Sequence, residues 1–435
     1  MSETKGVLHY FKNSGWLFSE KLLRMFSGIF VGAWVARYLG PEEFGTLNYA
    51  QSIIAIFLAI ASLGIDNIFT REIIKFPEKK KTIIFNSLLI KLLGYLLMCL
   101  FVGIYIYSSS DTYKAKQIIA ILLIGYFFQI FSVFDLYYQS ELKGRLSTLA
   151  SIAAIILSSI AKVICVEFNL GLFWIAAAFA VDTLILSIGL LLFMKTEYRQ
   201  LEGEATFDKE LILNILQDSW PLIFTGTVIM LQARIDQFML AKMFSEHEVG
   251  LYSSALRIVE AASFVPMIIK STFFPKLVSA HATGEENYRQ ALTNFYRLNF
   301  ILFIFITGSI ALASYPIADI LYGKEYTGVG FLLFLMSFRM FFTNMGVARS
   351  VFLVNENMTT YSFISMGIGT LTNVSLNYLL IPNYGALGAI ITTYISFLVS
   401  IFLIDLLYKK SRKNVLCMIY SIITFWKFSI KRLVA

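Results

Sequence analysis

The sequence predicts an all-α integral membrane protein of about twelve transmembrane helices, arranged as two parallel six-helix bundles around a central cavity. Three observations predict this fold. Of the 435 residues, 57% are hydrophobic and only 15% are charged. The apolar residues form long uninterrupted blocks, and two distant segments of the chain repeat each other.

The composition excludes a soluble protein. Soluble domains carry about 25% charged residues, and the mean hydropathy here is +0.71. Apolar blocks of about 20 residues are what a helix needs to cross a bilayer, and a spanning segment must satisfy its backbone hydrogen bonds internally. Strands of a membrane barrel would alternate apolar and polar residues over about ten positions, and no such alternation occurs.

The apolar blocks place the helices in order along the chain. We predict twelve, over Trp16–Tyr38, Leu47–Thr70, Thr82–Tyr107, Gln117–Ser140, Ser147–Glu167, Gly171–Met194, Ser219–Ala241, Val249–Phe273, Thr293–Ser314, Thr327–Ala348, Thr360–Ile381 and Gly385–Leu407. The longest predicted connections are Lys195–Asp218 and Phe274–Leu292, and neither is large enough for a catalytic domain.

The distribution of basic residues predicts the orientation. The N-terminus, the even-numbered connections (Arg349 included) and the C-terminal tail hold 23 Lys and Arg. The odd-numbered connections hold four, namely Lys114, Lys116, Lys242 and Lys324. Because positive charge collects on the cytoplasmic side, we expect a multi-pass protein of the cell inner membrane with both termini in the cytoplasm. The same bias accounts for the net charge of +8 without a nucleic-acid partner.

Three domains are expected. Residues 1–200 form an N-terminal six-helix lobe, residues 201–407 a C-terminal six-helix lobe, and residues 408–435 a basic cytoplasmic tail. The tail contains an apolar run from Val415 to Trp426, with basic residues on both sides that include Lys431 and Arg432. Twelve residues are too few to span a bilayer, so an interfacial amphipathic helix is favoured. A thirteenth span is the alternative.

An internal repeat supports the two-lobe arrangement. Residues 36–50 align without gaps with residues 241–255 and share four identities, among them Glu43 with Glu248. A second match relates Asn169–Gly171 to Asn383–Gly385. Parallel repeats with a substrate site between the halves are a transporter architecture.

Three blocks carry a resemblance to a known family. They are ARYLGPEEFGTLNYAQS at residues 36–52, RIDQFMLAKMFSEHEVGLYSSALRIVE at residues 234–260, and NYLLIPNYGALGA at residues 377–389. In this order the blocks resemble bacterial polysaccharide exporters, the Wzx-type O-antigen and capsule flippases, whose superfamily also contains multidrug (MATE) antiporters and lipid II flippases. The resemblance implies a MATE-like fold and the flipping of polyprenyl-diphosphate-linked oligosaccharide to the outer leaflet. It implies membrane lipids and polysaccharide assembly proteins as further partners.

Charges inside the predicted helices give the candidate site. A basic side chain at mid-bilayer costs about 2.5–3.5 kcal/mol on insertion scales, so deep cations must pair or face water. Arg297 lies near a helix end, where we expect it to extend to the interface. Deeper cations could bind a diphosphate in a cationic cavity; they are Arg24, Lys91, Lys162, Arg234, Arg257 and Arg339.

Acidic residues within the helices are candidates for pairing or ion coupling, namely Glu20, Asp182, Asp236 and Glu260. Glu20 lies four residues before Arg24, on the same helical face. Asp66, Asp135 and Asp405 lie toward the predicted cytoplasmic helix ends, where we expect them to be solvated.

Catalytic and metal motifs are missing from the sequence. Cys99, Cys165 and Cys417 form no CxxC pair, and the sequence contains no Walker A loop, HExxH or nucleophile elbow. We therefore expect no catalytic residues, no metal and no cofactor. The alternatives to a flippase are a drug–cation antiporter of the same superfamily and a membrane O-antigen polymerase. A polymerase is disfavoured because the predicted outer loops are short.

Overall fold

The computed structural model describes residues 2–429, with side chains from residue 15 onward. Lys431 and Arg432 of the predicted basic tail therefore lie outside the described residues. The helices are α1 Ser2–Ser62, α2 Asp66–Lys75, α3 Lys80–Ser108, α4 Tyr113–Tyr126, α5 Ser132–Ser140, α6 Gly144–Glu167, α7 Leu172–Gln200, α8 Lys209–Met243, α9 Glu246–Ala262, α10 Phe264–Thr283, α11 Glu285–Tyr322, α12 Val329–Ser337, α13 Arg339–Asn355, α14 Thr359–Leu398, α15 Ile404–Leu407 and α16 Lys409–Ile423.

The predicted all-α, multi-pass membrane fold is confirmed. Within the described part of the chain, nine helical stretches are long and apolar enough to cross a membrane, and no strand occurs. Two of these stretches contain a glycine with non-helical backbone, Gly40 with φ of 70° and Gly385 with φ of 52°. Pro41 follows the first break and Pro382 precedes the second. The glycines adopt a positive φ that would strain a residue with a side chain, and the prolines lack the amide hydrogen of a helical hydrogen bond. The count of twelve spans in two bundles stays a prediction.

The two Asn-x-Gly motifs share a backbone feature. Gly171 and Gly385 both have positive φ and both stand immediately before a helical run. The amide of Gly171 donates to the Tyr38 hydroxyl at 2.9 Å, and the amide of Ala386 donates to Glu248 Oε2 at 2.9 Å. A side chain from an earlier helix thus satisfies a free amide at the start of each run.

Both long connections predicted from hydropathy are largely helical. Helix α7 continues to Gln200 and α8 begins at Lys209, so only residues 201–208 separate them. In the second connection only Gly284 interrupts the helices. The prediction ended each helix where the apolar run ends, whereas the backbone hydrogen bonds continue into polar sequence beyond the hydrocarbon thickness.

The first compact unit of the structure extends to Phe238. Its helices α6 and α7 pack on each other and on α1, and one of its cores contains Phe69, Tyr137, Tyr138 and Met194. This division follows packing, so the lobe boundary predicted at residues 200 and 201 stays a prediction.

The second unit begins at Met239, and one of its cores includes the tail. Helix α16 buries Val415 and Met418 against Phe295 and Tyr296 of α11. Its other faces expose Leu416, Tyr420 and Ile423, while Trp426 beyond its end is also exposed. The tail is therefore a packed part of the second unit, and its predicted contact with the membrane interface stays a prediction.

The expectation that Arg297 extends to the interface is wrong. Its side chain is only 4% exposed and donates to Thr424 Oγ1 through Nε at 3.2 Å and through a terminal nitrogen at 2.8 Å. It also donates to Asn294 and to the carbonyl of Lys427. The guanidinium lies at the C-terminal end of α16, where carbonyls without helical partners favour a cation.

Candidate functional site

A polar cavity of about 360 Å³ lies within the first unit, among α1 to α5 and α8. Leu58, Ala59, Gly226 and Met230 form part of its apolar wall. The remaining wall contains charged, amide and hydroxyl side chains, namely Ser62, Asp66, Lys91, Tyr95, Tyr126, Gln129, Ser132 and Asp135. Apolar walls with a few convergent polar groups are typical of small-molecule sites.

Lys91 is the one predicted cation that lines this cavity. It lies in the middle of α3 and is 6% exposed. Its ammonium donates to Ser132 Oγ at 2.7 Å and forms an ion pair with Asp66 Oδ1 at 2.9 Å. Because desolvation disfavours an isolated charge, these two contacts stabilise the cation inside a predicted membrane helix.

Asp66, which we expected to be solvated, is half-exposed and also forms an ion pair. It lies in the first turn of α2, where the helix dipole favours a carboxylate. Its side chain is 51% exposed although it pairs with Lys91. Half of the Asp66 side chain therefore stays accessible, and both members of the pair line the cavity.

Residues on either side of Ser132 in the sequence add hydrogen-bond acceptors to the cavity lining. Asp135 of α5 accepts from the hydroxyl of Ser147 and from Gln139 Nε2, the latter at 3.1 Å. The side-chain oxygen of Gln129 is buried and has no donor within the described residues. A buried acceptor without a partner costs about 1–3 kcal/mol in stability.

A second cluster in the same unit joins three of the predicted residues. Arg24 of α1 donates to Glu20 Oε1 at 3.2 Å, as their spacing predicts, and to Asp182 Oδ2 of α7 at 3.4 Å. Asp182 also accepts from the hydroxyl of Ser158 at 3.0 Å. The Arg24 side chain is 45% exposed, so the guanidinium is paired while one face remains open.

Tyr126 connects this cluster with the cavity. It lines the cavity and lies within electrostatic range of both Asp182 and Arg234. Asp236, two residues after Arg234 on α8, is 6% exposed. Asp182 and Arg234 therefore act electrostatically on a residue that lines the cavity, although neither lines it.

Two other predicted cations contact aromatic rings. The Lys162 ammonium lies 4.0 Å from the ring centroid of Phe179, and the Arg339 guanidinium carbon lies 5.4 Å from that of Phe397. Such cation–π contacts stabilise a charge in a low-dielectric setting. Arg257 and Glu260, on α9 of the second unit, are half-buried. Their assignment to a substrate cavity stays a prediction.

A fully buried ion pair in the second unit was not predicted. Arg349 was assigned to a cytoplasmic connection and Asp405 to solvent, yet their side chains are 6% and 0% exposed and lie 2.7 Å apart. Helix α13 continues to Asn355, so Arg349 faces the core of the second unit. The signal available in the sequence was the single basic residue within an otherwise uncharged stretch from Met340 to Asn355.

Comparison with known families adds to this geometry. A family described as polysaccharide biosynthesis protein matches residues 10–281, more than half of the chain. The chain belongs to this family. The resemblance predicted from the three sequence blocks is thereby confirmed.

Two named proteins are similar in sequence to this polysaccharide biosynthesis protein. The capsular polysaccharide biosynthesis protein CapF of Staphylococcus aureus is 23% identical over 409 residues, 92% of this chain and 99% of the relative. The probable low-salt glycan biosynthesis flippase Agl15 of Haloferax volcanii is 23% identical over 167 residues, 38% of this chain and 35% of the relative.

Solved structures share the fold. The lipid II flippase MurJ in an inward closed conformation superposes with a TM-score of 0.74 at 15% identity, covering 98% of this chain and 95% of that one. An inward-facing multidrug resistance MATE family transporter gives a TM-score of 0.71 at 17% identity, covering 94% and 96%. At these identities the likeness establishes a MATE-like fold for this polysaccharide biosynthesis protein.

Proposed function

We propose that the protein is a flippase that moves polyprenyl-diphosphate-linked oligosaccharide from the cytoplasmic to the outer leaflet by alternating access. The buried ammonium of Lys91 at the wall of the polar cavity carries this proposal. A diphosphate is anionic and rich in acceptor oxygens, and an ammonium in a low-dielectric site attracts it more strongly than one in water. The family and its named relatives, a capsule biosynthesis protein and a probable glycan flippase, support the same substrate class.

The cavity lining also offers polar groups to the saccharide part of such a substrate. Asp135 offers acceptor oxygens for sugar hydroxyls, and Tyr95 and Tyr126 add aromatic surface to the same cavity. We propose that the diphosphate exchanges with Asp66 as the partner of Lys91, because the exposed half of that carboxylate can move into water at little cost. Arg24, Lys162, Arg234, Arg257 and Arg339 are proposed as further phosphate contacts along the path.

A capsule-type repeat unit is the favoured cargo. The similarity to CapF extends over nearly the full length of both chains, whereas nothing in the described site distinguishes one glycan from another. The proposed location is the cytoplasmic membrane with both termini inside, as the distribution of basic residues indicates. No bond is made or broken in this function, so the protein acts as a transporter and not as an enzyme.

Ion coupling is proposed through Asp182. Asp182 of α7 accepts hydrogen bonds from Arg24 of α1 and Ser158 of α6. A change in the charge of its carboxylate would therefore alter the contacts among these three helices. Asp182→Asn should remove the dependence of flipping on a proton or sodium gradient, measured in vesicles with an imposed gradient. Unchanged gradient dependence would assign Asp182 to structure alone. Glu20, Asp236 and Glu260 remain further candidates.

A complementation experiment tests the proposed function. The gene is expressed in flippase-deficient strains that differ only in their glycan, one with a capsule repeat unit and one with an O-antigen unit. We expect surface polysaccharide to return in the capsule strain, and not with a Lys91→Met variant present at the same protein level. Restored drug resistance without restored polysaccharide in any strain would favour the antiporter alternative.

A further inference from the structure

An apolar groove lies on the first unit, separate from the polar cavity. It is formed by α3 and α7 with Phe134 of α5 between them, and it encloses about 580 Å³. Apart from two basic residues and Tyr198, its lining is apolar, with Ile84, Phe85, Leu88, Ile188, Leu191, Leu192 and Met194. Several of these side chains are well exposed, such as Leu192 at 65% and Ile188 at 47%.

The two basic residues stand together at one end of the groove. Lys195 and Arg199 are four positions apart on α7, so they share a helical face. Both are exposed, and within the described residues neither has an ion-pair partner. Nearby cations differ in this respect, because Lys80 pairs with Glu141 at 2.8 Å and Lys143 pairs with Glu197 at 2.6 Å.

Tyr198, which lies between Lys195 and Arg199 in the sequence, already contacts another cation. The Lys81 ammonium lies 5.5 Å from the ring centroid of Tyr198. Lys195 and Arg199 therefore remain as the two cations at the groove mouth that no protein group neutralises. A patch with this arrangement is complementary to an anionic headgroup with a hydrocarbon chain attached.

The length of the groove indicates which kind of lipid chain it matches. From Ile188 to Arg199 the helix rises about 16 Å, roughly half of a hydrocarbon core of about 30 Å. One acyl chain of one leaflet matches this length, whereas a polyprenyl chain of many isoprene units is longer. The basic end lies on the predicted cytoplasmic side, where anionic phospholipids attract juxtamembrane cations.

We propose that this groove binds one acyl chain of an anionic glycerophospholipid, with its phosphate held between Lys195 and Arg199. The site differs in place and in ligand from the Lys91 cavity. The tests of this lipid site and of the proposed flippase function are therefore independent of each other. Its occupant is a resident membrane lipid and not the cargo.

Native mass spectrometry of the full chain in detergent tests this site. The delipidated protein is titrated with palmitoyl-oleoyl-phosphatidylglycerol or with phosphatidylcholine of the same chains. Each cation near an anionic lipid contributes about fivefold in affinity, so Lys195→Gln/Arg199→Gln should weaken phosphatidylglycerol binding about thirtyfold. Phosphatidylcholine binding should change little.

The matched control is Lys75→Gln/Lys79→Gln. It removes the same charge from exposed residues of the same unit that do not line the groove, and it should bind like the wild type. Unfolding temperatures in lipid-free detergent verify that both variants are folded. Equal affinity of the wild type for the two lipids, or equal loss in both double variants, would overturn the proposal. Preferential binding of a polyprenyl phosphate through Lys195 and Arg199 would also overturn it.

Discussion

Arg349 donates to both carboxylate oxygens of Asp405, through Nε at 2.8 Å and through a terminal nitrogen at 2.7 Å. The hydroxyl of Tyr361 donates to the same carboxylate at 2.8 Å, and the hydroxyl of Ser365 accepts from the guanidinium at 3.1 Å. The pair joins α13 to α15 inside the core of the second unit. Such a two-point contact fixes both the distance and the angle between the helices that carry it.

Removing one member of this pair should destabilise the second unit strongly. Arg349→Met leaves the fully buried Asp405 without its cation, which we expect to cost about 3–5 kcal/mol in the free energy of unfolding. The double variant Arg349→Met/Asp405→Leu should recover most of that loss, because neither charge then remains buried. Unfolding in detergent, followed by circular dichroism, measures both.

The control for this pair is Arg289→Met, which breaks an exposed contact with Glu286. We expect its unfolding curve to coincide closely with that of the wild type, since solvent screens exposed pairs. An Arg349→Met protein that unfolds like the control would show that the buried pair does not hold the unit together.

Lys91 should be required for transport and dispensable for folding. Lys91→Met removes the ammonium that faces the cavity, so surface polysaccharide should fall to the level of the empty vector while the protein accumulates normally. Lys91→Arg keeps the charge and should retain part of the export. Immunoblotting and polysaccharide staining of the same cells give the two readings.

Lys75→Met provides the comparison for Lys91, because Lys75 is an exposed cation of the same unit outside the cavity. It should export normally. Normal export by Lys91→Met as well would remove the observation on which the proposed function depends.

Arg297 should hold the tail helix on α11. Arg297→Ala removes the hydrogen bonds to Thr424 and to the carbonyl of Lys427. Backbone amides of residues 409–427 should then exchange with deuterium faster, because local opening no longer breaks a buried guanidinium network. Arg289→Ala, an exposed arginine of the same helix, should leave this exchange unchanged. Identical exchange in both variants would show that the apolar contacts of α16 suffice.

The reactivity of the Cys417 thiol also measures how closely α16 packs on α11. Burial raises the pKa of Cys417 above its usual range, and Thr293 Oγ1 lies 3.0 Å from its sulfur. The thiolate is the reactive form, so at pH 8 alkylation should be slower than for a free thiol. The rate should keep rising above pH 9, where a free thiol levels off. Mass spectrometry of the modified peptide follows the rate, and a pH profile equal to that of free cysteine would contradict a packed tail.

Local spacing predicted part of this site. Glu20 and Arg24 meet because residues four apart share a helical face, and Lys91 is buried as its depth in an apolar run predicts. Asp182 reaches Arg24 across 158 positions, a contact that follows only from the packing of α1 on α7. No periodicity in the sequence contains that information.

The errors have one physical cause. Hydropathy ends a predicted helix where the bilayer ends, so Arg349 fell one residue beyond its predicted span. For the same reason Asp405 and Arg297 were placed at an aqueous boundary. In the structure the tail covers that boundary, with α16 packed over α11, and all three side chains are buried beneath or beside it. A hydropathy profile along the sequence does not show that the later amphipathic segment α16 packs back onto α11.

As the proposed flippase, this protein is expected to move a lipid-linked oligosaccharide across a bilayer. The most direct measurement uses vesicles that contain the purified protein and a polyprenyl-diphosphate oligosaccharide with a fluorescent sugar, placed first in one leaflet. Accessibility of the sugar to an impermeant lectin on the other side is followed over time. We predict accessibility that rises with wild-type protein and stays at the protein-free rate with Lys91→Met. Equal rates in wild-type and protein-free vesicles would contradict the account.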